Sequence, residues 1–256
     1  MFIARVTALA SVFTAILTLS VAYGQNQISD SAQEFSPPSE VKLEGKTSMI
    51  VTHPGTEWDV QKVAKKGIDF GVEFAKKKSW PTVYLQAELD TLSYYPSVQT
   101  PDHIVLSSAG EFSFEVKSKR VVSMGGWFSN CHKQSVRDIL KAFSKSPKKN
   151  RKLFLAVDGI YEGVNNEFAS GLLDHQTQRR LEGEFAGHTV PLEAILDEVE
   201  EEDAFNALVG FAEQHYSLHV DEYPFNFILT YGELTKRWTR DKSLPTVHIR
   251  FIRAQR

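Results

Sequence analysis

Cys131 is the only cysteine among 256 residues, and it lies in Arg120–Leu140, RVVSMGGWFSNCHKQSVRDIL, where an apolar run gives way to helical spacing. A thiol at such a junction is a candidate nucleophile, because the reactive species is the thiolate and a helix start favours it. Five further candidate residues lie at or near the ends of apolar runs. His53 comes after Ser48–Thr52, Glu88 and Asp90 after Thr82–Ala87, His132 beside the cysteine, and Asp158 after Leu153–Val157. These are the residue types of a nucleophile, a base and an orienting carboxylate, or of a metal site.

With Ser129 or Asn130 as N-cap, the Cys131 thiol is expected in the first helical turn. The unpaired N–H groups there lower a thiol pKa from ~8.5 by about one unit or more. Nucleophilic catalysis also needs a base to take the proton. His132 is the neighbour in sequence, but successive helical side chains diverge by about 100°. His53, from a separate strand end, is the better partner, and Asp158 is the candidate orienting or acidic group. The competing reading makes Cys131 a small hydrophobe packed under a helix, His53 a helix cap and Asp158-Gly159 a plain turn.

Gly125-Gly126 permits a tight backbone path or close approach by a ligand, and with Trp127 and Asp90 it forms the candidate ligand-binding set. The chain has no GxGxxG, no GxxxxGK[ST] and no GxSxG, so dinucleotide, P-loop and serine-elbow readings lack support. His53, Asp90, His132 and Asp158 could supply metal ligands, but they show no HExxH or comparable spacing, and no metal or cofactor is expected.

Val121–Leu140 is locally similar to the nucleophile region of isochorismatase-like cysteine hydrolases: apolar strand, Gly, six residues to Cys, then helix. That resemblance implies an Asp at the end of the first strand and a Lys in a later loop. Here the first strand ends in Thr52-His53, and no Lys is assignable. Caspase-like peptidases also put Cys at one strand end, with His-Gly at the neighbouring one, where this chain has Ala109-Gly110. Each resemblance lacks a catalytic partner, and neither family is assigned.

The elements that must position these groups follow from hydrophobic periodicity. Ser48–Thr52 reads as a strand and Thr56-x-x-Asp59 as a capping-box-like start. Val60 to Ala75 then carries helical spacing, and Thr82–Ala87 is the next strand, which together make a βαβ unit. Ile104–Ser107, Glu111–Val116 and Val121–Met124 read as strands, the alternation of Phe112, Phe114 and Val116 suggesting a β-hairpin added to the sheet. Val121–Met124, a helix over Cys131–Phe143 and Leu153–Val157 form a second βαβ unit. Glu167–Gly183 and Leu192–Tyr216 read as helical, and Phe225–Thr230 and Thr246–Arg253 as closing strands. The fold class is α/β: three layers, a mixed and mostly parallel sheet of flavodoxin/Rossmann type, antiparallel additions, and a more helical C-terminal half.

Residues 1–24 read as a signal peptide. Arg5 precedes the 16-residue apolar stretch Val6–Val21, and Ala22-Tyr23-Gly24 is a small-x-small cleavage pattern. An uncleaved anchor is the alternative. Gln25–Gly45, rich in Ser, Gln, Glu and Pro, reads as a disordered leader, and residues 46–256 as a single domain. Loss of Arg5 with the signal peptide takes the net charge from −3 to −4. That balance, without a dense basic stripe, argues against nucleic-acid binding. A lone cysteine excludes an internal disulfide framework. The expectation is therefore a secreted or periplasmic soluble protein with no membrane contact after cleavage. Either it is a cysteine-dependent hydrolase with its site at the carboxyl ends of the parallel strands, or a non-catalytic domain binding a small molecule or protein there.

Overall fold

The computed structural model describes residues 35–54, 62–87, 101–218 and 222–255, all within the compact unit Phe35–Arg256. Seven parallel strands form its centre, in the spatial order β10-β12-β7-β6-β2-β3-β4. Their ranges are β2 Thr47–Thr52, β3 Thr82–Gln86, β4 His103–Leu106, β6 Arg120–Gly125, β7 Arg151–Ala156, β10 Asn226–Tyr231 and β12 Thr246–Ile252. An antiparallel strand, β11 (Leu234–Trp238), extends the β10 edge and completes an eight-stranded sheet.

The inner strands are continuous apolar runs because both of their faces are covered, and every residue of β2 and β3 is buried. On one face Met49, Val51, Tyr84, Val122 and Met124 pack against Ile68, Val72 and Ala75 of helix α1, Lys65–Lys77. On the other, Ile50, Val83, Leu85, Val121, Leu153 and Leu155 meet Val136, Ile139, Leu140 and Phe143 of α2, Lys133–Lys145. The same core takes in Leu208, Phe211 and Ala212 of α6, Glu201–Tyr216. These are the three layers of the α/β class. Both expected βαβ units are present, β2-α1-β3 and β6-α2-β7.

Several elements differ from expectation. Residues 35–45 belong to the folded body. Val41 and Leu43 are buried, and β1 (Lys42–Leu43) pairs in parallel with β5 (Glu115–Val116). Two alternating apolar residues are enough to anchor the segment but too few to stand out from its polar composition. The expected hairpin is absent. β4 joins the sheet in parallel beside β3, and β5 leaves the sheet to pair with β1. The alternation of Phe112, Phe114 and Val116 comes from packing into the core beneath α2, with the two Phe rings stacked at 4.2 Å. The 167–183 helix is split into α3 (Glu167–Ser170) and α4 (His175–Glu184), where Asp174 caps α4 by accepting Gln176 N–H and Thr177 N–H. Leu192–Tyr216 is likewise two helices, α5 (Leu192–Leu196) and α6, and the acidic run 198–203 leads into the first turn of α6, favourable against the dipole. A small antiparallel pair, β8 (Tyr161–Gly163) with β9 (Thr189–Pro191), was not expected from the sequence. The Thr56-x-x-Asp59 start lies outside the described residues.

Candidate functional site

The chain runs from β2 outward through β3 to β4, then crosses back to β6 on the other side of β2 and continues outward through β7. The strand order reverses between β2 and β6, and a crevice at the carboxyl ends of such a pair is where open α/β sheets place ligands. His53 follows β2, and the Gly125–Cys131 segment follows β6. Both contribute to one cavity of about 220 Å³, whose walls include Ser108, Ala109, Trp127 and Tyr161. A larger cavity of about 600 Å³ lies at the opposite, amino-terminal ends of β3 and β4. There Asp102 accepts the Thr82 N–H at 2.7 Å, a structural task.

His53 takes a left-handed conformation, φ 46°, as the chain leaves β2. Its Nε2 lies 3.0 Å from the Ser107 carbonyl oxygen. A carbonyl only accepts, so Nε2 carries the proton and Nδ1 the lone pair. The Ser107 carbonyl, just beyond β4, therefore holds the His53 ring.

Cys131 lies within a five-residue π-helical turn, Phe128–His132, which runs directly into α2. The expected α-helical start at Cys131 with a Ser129 or Asn130 cap is not what forms. The wide turn closes through His132 N–H to Trp127 O, 3.0 Å, and Asn130 N–H donates to the same carbonyl. Ser129 N–H is taken by a carboxylate, so these three amides are committed and not open to an oxyanion. One N–H does reach the thiol: Trp127 N donates to Sγ at 3.0 Å. The Sγ also lies 4.0 Å from the Trp127 carbonyl oxygen.

Three glycines make this turn possible. A Cβ on Gly125 (φ 73°) would lie 2.2 Å from Thr52 O, one on Gly126 (φ 75°) 3.0 Å from the Cys131 Sγ, and one on Gly110 2.0 Å from the Cys131 carbonyl oxygen. Gly125 and Gly126 thus act by close backbone packing around the cysteine. Trp127 lines the cavity, whereas Asp90 and Glu88 lie outside the described residues.

No protein-family model and no curated protein matches the chain. Two solved structures are similar to it, each with a TM-score of 0.35 over 68% of this chain and 95% of its own. They are a "putative MAR1 ribonuclease from Leishmania major", 15% identical, and a "hypothetical protein from Trypanosoma cruzi", 10% identical. Likeness at that level does not bear on what this chain does, and the site rests on its own geometry.

Two expected members stand apart from the cavity. His132 is fully buried, with Nδ1–H donating to Gly125 O at 2.8 Å and no hydrogen-bond partner at Nε2. Burial pushes its pKa down from 6.5 to about 4, so it is a neutral packing residue below the turn. Asp158 accepts Ala254 N–H at 2.8 Å and Gln255 N–H at 3.2 Å, which ties down the C-terminal residues. Among the described residues, no three His, Cys, Asp or Glu side chains are grouped to hold a metal ion, and no helix is long and apolar enough to cross a membrane.

One residue at the site was missed from sequence. Glu162, in β8, is fully buried and accepts four hydrogen bonds. The donors are Trp127 Nε1, Ser129 N (2.8 Å), Gly163 N (2.7 Å) and Asn166 Nδ2. Burial raises its pKa against the pull of those donors. The sequence did carry a signal: an acidic residue inside the otherwise apolar Ile160–Val164. A charge there is costly unless it is fully hydrogen-bonded.

Proposed function

We propose that this protein is an exported cysteine-dependent hydrolase, with Cys131 as nucleophile and His53 as base. The observation that carries the reading is the convergence of Cys131 and His53 on one cavity at the sheet's switch point, from strands that adjoin in the sheet. The Trp127 N–H on Sγ and the Nε2–H tautomer of His53 support it. Export rests on the sequence of residues 1–24.

The chemistry is acyl transfer. His53 Nδ1 takes the thiol proton, and Sγ attacks a carbonyl carbon while the C=O π pair moves to oxygen. When that pair returns, the bond to the leaving nitrogen or oxygen breaks, and the imidazolium gives its proton to the leaving group. Water, deprotonated by His53, then attacks the thioester, and the thiolate leaves. A panel of activated esters and fluorogenic amides tests this. Cys131→Ala should abolish turnover, and His53→Ala should lower it by about 100-fold or more. Full activity in Cys131→Ala would end the hydrolase reading.

A second reading, a non-catalytic domain that binds a ligand or partner here, is favoured by burial: Cys131 is 6% exposed and His53 4%. Iodoacetamide separates the two. Alkylation of Cys131 in native protein supports the enzyme, while alkylation only after unfolding supports the binding domain.

A further inference from the structure

The buried carboxyl of Glu162 gathers four neutral N–H donors with no cation among them, so its hydrogen bonds fix the groups that make them. Three of the four donors lie away from its own backbone neighbour, and two of them belong to the segment that carries the cysteine. Trp127 is gripped from several sides. Its indole N–H goes to Glu162, its carbonyl takes the Asn130 and His132 amides, and its amide N–H goes to Cys131 Sγ. The grip extends to the strand itself. Trp127 bridges Tyr161, whose N–H donates to Gly126 O at 3.2 Å.

We infer that Glu162 is the positioning residue of the Cys131 site, holding Trp127 and Ser129 so that the Trp127 amide points at the thiol. This inference rests on the nucleophile reading given above. Glu162 would act through Trp127 and Ser129, to which it is hydrogen-bonded. A neutral amide cannot replace it, because Gln offers one oxygen to four donors and turns its own NH2 toward the rest.

The sign of one measurement separates this role from its alternatives. Removing a nearby anion, by charge alone, favours the thiolate and lowers the thiol pKa. Loosening the Trp127 amide raises it. Cys131 is the only cysteine, so the pH dependence of iodoacetamide alkylation reports its pKa directly. In the unaltered protein the expected midpoint lies below ~8.5, and in Glu162→Gln it should rise by about one unit. Glu162→Asp keeps the charge but shortens the reach to the indole, and an intermediate rise is expected. Trp127→Phe removes the indole donor while keeping an aromatic ring, so it asks the same question if Glu162→Gln does not fold, and its midpoint should also rise.

An unchanged or lowered midpoint in folded Glu162→Gln, or in Trp127→Phe, would overturn the positioning role. That result differs from failure of the nucleophile reading, in which the unaltered protein itself resists alkylation or titrates at or above the ordinary thiol value.

Discussion

The imidazole of His132 illustrates how much a residue's meaning depends on which way its backbone winds. It is adjacent to the candidate nucleophile in sequence, yet the π turn sends it into the core, where its Nδ1–H is spent on Gly125 O. A group titrating near 6.5 unfolded and at about 4 folded favours the native state only while neutral. The unfolded chain binds the proton first, so this contribution is complete above pH 6.5 and drains away between 6.5 and 4. The span corresponds to about 3 kcal/mol. His132→Asn keeps a donor for Gly125 O and removes the titration. Urea unfolding at pH 7 and pH 4.5 should show a smaller acid loss in the variant than in the parent. Equal losses would mean that His132 is solvated in the native state. Cys131, His53 and His132 were legible as candidates because strand ends are legible. Which imidazole shares a cavity with the cysteine was not, since the π turn buries His132 and leaves His53 in the lining.

Among elements, the turn between β6 and α2 carries the most constraint. Gly126 sits at φ 75°, a region that costs an L-residue about 1 kcal/mol or more, and its missing side chain leaves room for Cys131 Sγ. Gly126→Ala should therefore lower stability by about 1–2 kcal/mol, a drop of several degrees in Tm, and also slow native alkylation of Cys131. An unchanged melt with unchanged alkylation would show that the turn relaxes freely. The two βαβ units were readable because continuous apolar runs and 3.6-residue spacing are local signals. β1, β8 and β9 were not, because two- or three-residue strands are defined by distant partners, and β5 was read as a strand but given the wrong partner. The false hairpin has the same origin. Period-two alternation in Phe112–Val116 records one buried face, and the packing there is against α2 rather than a neighbouring sheet strand.

At the scale of the whole molecule, the sheet's order gives each carboxyl-terminal strand end a different task. β2 and β6, at the reversal, lead to His53 and Cys131 in one cavity, while Asp158, two residues beyond β7, holds Ala254 and Gln255. Asp158 holds Ala254 and Gln255 across nearly a hundred positions, fixing β12 alongside β7. Gly67 of α1 packs so closely on the Asp158 carbonyl that a Cβ would approach to 2.2 Å, so one residue ties the layer of α1 to the chain end. Hydrogen bonds to a carboxylate contribute about 1.5–3 kcal/mol each, less where the donors are half exposed. Asp158→Ala should thus cost about 2 kcal/mol and speed amide exchange at Ala254 and Gln255. Because Asp158 does not line the Cys131 cavity, the alkylation rate of Cys131 should stay at the parent value. A variant that melts normally but alkylates slowly would return Asp158 to the site and reopen the question of what orients His53.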